Sequence, residues 1–248
     1  MSEPSETASP GRVVGAMTVL GAIGLLVGFL LGMVTFGLIG TPLSLSVEAP
    51  PGQLLFTLGT YLGLAAVGGF YLLRYELGLS FVRVRRPTLG DIGVAAATVL
   101  GLLALAIALP TLIERLGLPL ADHSIADSIE ANPAIALIFL PLSVFVVGPA
   151  EEFLYRGIIQ TRLTSVFDTG GAVAVAALIF AAIHFFAYLD PANVPGTIVT
   201  VFLLLLPLGA ILGSVYEYSD NLVVPALAHG FYNAITFGLS YAETVGLF

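Results

Sequence analysis

Residues 134–163 read AIALIFLPLSVFVVGPAEEFLYRGIIQTRL, and the reading of this stretch decides the fold. No charge interrupts it before Glu151, so it begins as a membrane-type helix, for which about 20 apolar residues suffice to cross about 30 Å of hydrocarbon. Glu151, Glu152 and Arg156 then follow, with Gly148-Pro149 just upstream as a bend or break signal. An ionisable group inside a bilayer costs about 3 kcal/mol or more, so it marks a functional site by default. The run is too long for a simple span. It is expected to continue past the membrane surface as an amphipathic extension, ending near Phe167-Asp168-Thr169-Gly170-Gly171.

The flanking sequence has the same character. Of 248 residues, 58% are apolar and 10% are charged, with a mean hydropathy of +1.03. A soluble domain carries about 25% charged residues, so a soluble globular protein is excluded. Apolar runs separated by Gly and Pro place spans near 13–39, 53–73, 91–110, 134–163, 171–189, 196–216 and 221–240. The expected fold is all-α: a polytopic transmembrane helical bundle of about seven spans, with an eighth helix if 121–131 folds at the surface. Residues 1–12 form a polar tail, 13–132 a set of N-terminal helices, 133–240 the site-bearing region and 241–248 a C-terminal tail. The run Val13–Gly40 exceeds a signal-peptide core and is read as a retained helix.

Charge sets the orientation. Arg12, Arg74, Arg83, Arg85, Arg86, Arg156 and Arg162 fall on or near one side of the bundle, and Arg115 alone falls on the other. The positive-inside rule makes the N-terminus cytoplasmic and the C-terminus external, in a multi-pass protein of the cell membrane. The acidic loop 111–132 then lies outside. The net charge of −8, with eight arginines and no lysine, suits a halophilic host and leaves no basic footprint for nucleic acid. With no cysteine, disulfide and thiolate chemistry are absent.

Counting about 1.5 Å per helical residue from the cytoplasmic ends puts Glu151 roughly 18 Å deep, His184 roughly 20 Å, His229 roughly 12 Å and Asn233 roughly 18 Å. Four polar residues on three helices thus meet at one level. Glu152 and Arg156 stand at i,i+4, the favoured order for an ion pair, which leaves Glu151 as the free carboxylate. A helix restarting at Pro149 would also put both acids in its positive first turn. His229 and Asn233 share one helix face, and Phe180 walls the site. His123 is read as solvated, and Tyr155, Tyr188 and Tyr232 as packing residues.

Glu151-Glu152-x-x-x-Arg156, Phe180-x-x-x-His184 and His229-x-x-x-Asn233, in this order on successive spans, resemble the CPBP family of intramembrane proteases. That family includes the type II CaaX prenyl endopeptidases and the abortive-infection proteins of bacteriocin-immunity type. The resemblance covers roughly 145–235. It implies an endopeptidase acting on membrane-associated peptides of possible CaaX type, in which Glu151 activates water with His184, and His229 with Asn233 stabilises the oxyanion. Glu151, His184 and His229 also form a two-histidine, one-carboxylate set of the kind that binds zinc. A metal-free mechanism is favoured, because no H-E-x-x-H is present and Asn233 suits an oxyanion better than zinc. The rival readings are a non-catalytic scaffold or immunity protein, and an ion or proton transporter. The expected partners are a membrane-associated peptide or protein substrate and the lipid bilayer, with no nucleic acid.

Overall fold

A computed structural model describes residues 9–247, and every regular element within them is helical. Eight helices follow in order: α1 (Pro10–Gly40), α2 (Pro50–Arg74), α3 (Leu89–Arg115), α4 (Ser124–Ala131), α5 (Ala134–Leu163), α6 (Thr169–Ala187), α7 (Val194–Ser219) and α8 (Val223–Thr244). The eight-residue α4 is the surface helix expected over 121–131. Helix α1 begins at Pro10, inside the expected tail, and the rest of that tail, residues 1–8, lies outside the described residues. At the other end α8 runs on to Thr244, past residue 240, because nothing breaks the helix before Gly246.

Six helices are long and apolar enough to cross a membrane, where seven spans were expected. The difference is α8. Its 22 residues reach about 33 Å, but His229, Asn233, Ser240 and Glu243 dilute its apolar character. The lipid-facing surfaces are plain on α1 and α3: Phe29, Leu30, Met33, Leu100 and Ile107 are all exposed. Exposed apolar area on that scale has no place in water.

Close approach of backbones determines what meets what. In α1 the buried face is a glycine stripe, Gly21, Gly24, Gly28 and Gly32. A Cβ at Gly28 would lie 2.8 Å from the carbonyl oxygen of Thr60, so α2 packs directly against that stripe, in the small-residue manner of membrane helices. The same device joins α5 to α8. A Cβ at Gly148 would sit 2.8 Å from the Gly230 nitrogen, and one at Gly230 would sit 2.7 Å from the Ser143 oxygen.

Helix α5 does not restart at Pro149. It stays helical throughout Ala134–Leu163, with π-type segments at Ser143–Val147 and Phe153–Gln160 on either side of Gly148–Glu152. Proline lacks the N–H and clashes with the carbonyl four residues back. Widening the preceding turn absorbs that clash without ending the helix. The two acids therefore lie in mid-helix, away from any helix N-terminus.

Loop 75–88 closes one end of the bundle. Arg85 holds Asp91 through two nitrogens at 2.8 and 3.1 Å and donates to the Ser219 carbonyl at 2.8 Å. Arg83 pairs with Glu217 at 2.8 Å. Arg156 does not belong to this arginine end as a surface charge, contrary to the topology count. It is 1% exposed and committed to the interior. At the opposite end the Asn193 amide donates to the Leu120 carbonyl at 2.8 Å, tying the two loops of that face together.

Candidate active site

Glu151 and Glu152 are consecutive on α5, so their side chains diverge by about 100° and meet different partners. Glu152 is fully buried and accepts from Arg156 Nη1 at 2.7 Å, the expected i,i+4 pair. The Arg156 guanidinium also donates to the Gly209 carbonyl at 3.1 Å and lies 4.3 Å from the Phe180 ring centre. A buried cation here has a carboxylate, a carbonyl and an aromatic face around it, which is what keeps burial tolerable.

The same Glu152 oxygen takes a hydrogen bond from His229 Nδ1 at 2.8 Å, a contact the sequence reading missed. A carboxylate can only accept, so Nδ1 carries the proton and Nε2 faces the other way, toward Glu151. His184 is held likewise. Its Nδ1 donates to the Phe180 carbonyl at 2.8 Å, and its ring lies 4.2 Å from that of Phe180. Phe180 therefore does more than wall the site, since it fixes His184 and covers Arg156.

Glu151 Oε2 lies 3.6 Å from His184 Nε2 and 3.7 Å from His229 Nε2. It has no hydrogen-bond partner, although it is buried. The other oxygen, Oε1, accepts from the Tyr61 hydroxyl at 3.1 Å. Tyr61 on α2 was not foreseen. Asn233 lines the same cavity, and its side-chain amide makes no hydrogen bond among the described residues. The expected convergence of Glu151, His184, His229 and Asn233 on one cavity is thus observed, with Glu152 on the far side of the His229 ring.

The cavity has a volume of about 780 Å³, large enough for a polypeptide segment of several residues. It reaches from Glu151 to Glu114, Asp122 and Ser240, away from the arginine end, whereas the residue depths suggested an opening toward the cytoplasmic half or sideways between helices. Counting residues along single helices could not reveal that the core below the site is filled. His123 is not a free solvated side chain either. It is half-buried at the cavity mouth, packs edge-on against Tyr188 at 4.8 Å and accepts from the Ile125 amide at 3.0 Å. Burial pushes its imidazolium down to about 4.

The two-histidine, one-carboxylate set is also a zinc donor set. Zinc–ligand bonds of about 2.0–2.2 Å would put donor atoms about 3.4 Å apart in a tetrahedron, slightly closer than the 3.6 and 3.7 Å here. Among the described residues no group of three His, Asp or Glu side chains is drawn together tightly enough to hold a metal ion.

Residues 133–235 match the family model for Rce1-like type II CAAX prenyl endopeptidases. The site-bearing part of this chain is thus similar to that family. Every polar residue of the cluster except Tyr61 falls inside the match. A relative in Bacillus subtilis (strain 168), YpbD, described as uncharacterized, is 34% identical over 99 residues. The match spans 40% of this chain and 42% of YpbD, less than half the length of that relative. No solved structure matches the chain. The likeness is to a family of membrane proteases, and the six apolar helices make this an integral membrane protein.

Proposed function

We propose that the protein is an intramembrane endopeptidase that hydrolyses peptide bonds of membrane-associated substrates, with Glu151 as the base. The observation that carries this reading is the buried, unpartnered Glu151 Oε2, facing two imidazole nitrogens at 3.6 and 3.7 Å in a cavity closed at its inner end. Three acceptors cannot satisfy one another, so something bearing hydrogens belongs between them, and a water fits.

In the proposed reaction Glu151 Oε2 takes a proton from that water as its oxygen bonds to the scissile carbonyl carbon. The carbonyl electrons move onto oxygen, and the Asn233 amide donates to the resulting oxyanion. Glu151 then passes its proton to the departing nitrogen as the C–N bond breaks, leaving a carboxylic acid and a free amine. Tyr61 holds Glu151 in place through Oε1, and Glu152, clamped by Arg156, keeps the His229 ring turned.

The transporter reading requires a polar path through both leaflets. Packed apolar residues under Glu151 weigh against it. The scaffold reading is separated by experiment. Purified protein should cleave membrane-associated peptides, and Glu151→Gln should not; no cleavage by the wild type over a broad peptide set would favour the scaffold. Treatment with a strong chelator should leave turnover unchanged. Loss of turnover restored by zinc would replace the metal-free mechanism.

A further inference from the structure

The cavity reaches one end of the bundle and not the other, and the charges at the two ends differ. Around its floor stand Tyr155, Phe180, Leu208 and Leu212, level with Glu151. Below that floor Leu154, Ile158, Ile159, Leu163 and Tyr216 are all 0% exposed, so no passage continues toward loop 75–88. No lining residue comes from that loop. The exposed acidic residues at the other end, Glu114 and Asp122, do line the cavity, and neither takes part in an ion pair among the described residues.

Arg12, Arg74, Arg83, Arg85, Arg86 and Arg162 belong to the closed end. The mouth carries Arg115 against Glu114, Asp122, Asp127 and Glu130. An arginine bias of this kind places the closed end in the cytoplasm. The mouth then faces out.

We infer that substrate enters from the extracytoplasmic side, as an apolar polypeptide segment flanked by basic residues. The apolar walls, Leu102, Phe139, Leu204 and Phe237, take the apolar part, and the acidic rim takes the basic flank. The buried, unpartnered oxygen of Glu151 at the cavity floor is the group that such a segment would reach. The inference rests on the peptidase reading. It excludes prenylated C-termini displayed in the cytoplasm, because they would meet only the closed end.

The absence of cysteine in the full chain makes the test direct. Thr236→Cys and Ser240→Cys, both on the cavity wall, and Arg86→Cys at the closed end are expressed in intact cells. They are then exposed to small membrane-impermeant thiosulfonates, one cationic and one anionic. The two cavity cysteines should react in intact cells, with Arg86→Cys reacting only after permeabilisation. The cationic reagent should react about tenfold faster than the anionic one, and Asp122→Asn with Glu114→Gln should bring the ratio toward one. Cavity cysteines reacting only after permeabilisation, or on neither side, would overturn the access route. Equal rates for the two reagents would overturn the basic flank. Neither readout uses turnover, so expected labelling combined with no Glu151-dependent cleavage would refute the peptidase and leave the access route standing.

Discussion

Glu151 and Glu152 differ by one position and by everything around them. Glu151 keeps one oxygen for Tyr61 and leaves the other open, whereas Glu152 puts a single oxygen between Arg156 and His229. Glu151→Gln should therefore lower kcat about 10²–10⁴-fold with an unchanged melting midpoint, measured by peptide cleavage and thermal unfolding in detergent. Tyr61→Phe removes one hydrogen bond, worth about 1 kcal/mol, and should reduce kcat by about tenfold or less. Glu152→Gln strands the Arg156 charge in the interior and should cost about 3–5 kcal/mol of stability. Glu152→Leu combined with Arg156→Met should regain stability but not activity, because His229 then lacks its acceptor. Recovery of both would mean that Glu152 has no part in setting the histidine. The buried polar cluster itself was legible at this scale, since Glu151, His184 and His229 stand out in apolar runs. Tyr61 was not, because span 53–73 also holds Tyr71, and nothing local separates the two.

At the scale of elements, the crossing of α5 with α8 brings His229 to Glu152. Gly148 and Gly230 permit it, because a side chain at either would run into the opposing backbone. Gly230→Val should push the helices apart and cut kcat more than about tenfold in protein that remains helical by circular dichroism. A fully active Gly230→Val would show that the contact is not what aligns the histidine. Helix α4 gives a pH test. His123 caps it by accepting from the Ile125 amide, which only the neutral ring can do, and burial lowers its pKa to about 4. The folded state thus binds its proton less readily than the unfolded chain. Its contribution is intact above about pH 6.5 and fades as pH falls toward about 4. Amide exchange over residues 125–129 should rise in that window and should not in His123→Asn, where the side-chain oxygen still caps. The restart considered at Pro149 was decided against at this same scale. A proline states only that a hydrogen bond is missing, and the π-type turn that absorbs it depends on the neighbouring helices.

Across the whole molecule, the proposed orientation rests on six arginines at the closed end. Reporter fusions after residues 86 and 120 should have opposite sidedness, with 86 cytoplasmic. Equal sidedness would overturn the helix count between them. The number of membrane-type helices could be read from the chain nearly to completion, and α8 fell short because polar residues, His229, Asn233 and Ser240 on the cavity wall among them, dilute it.

Length and hydropathy act along the chain, and so the sequence alone determined the membrane class, the helical spans, the surface helix α4 and the few ionisable residues that apolar packing cannot explain. The i,i+4 pairing of Glu152 with Arg156 was local as well, and therefore readable. Contacts across 77 residues, from Glu152 to His229, and across 90, from Tyr61 to Glu151, are fixed by which helix faces touch. The direction of the cavity is decided in the same way, by core residues that fill one end of the bundle and leave the other open. Periodicity reports the face a residue occupies on its own helix, and only tertiary packing decides what that face meets.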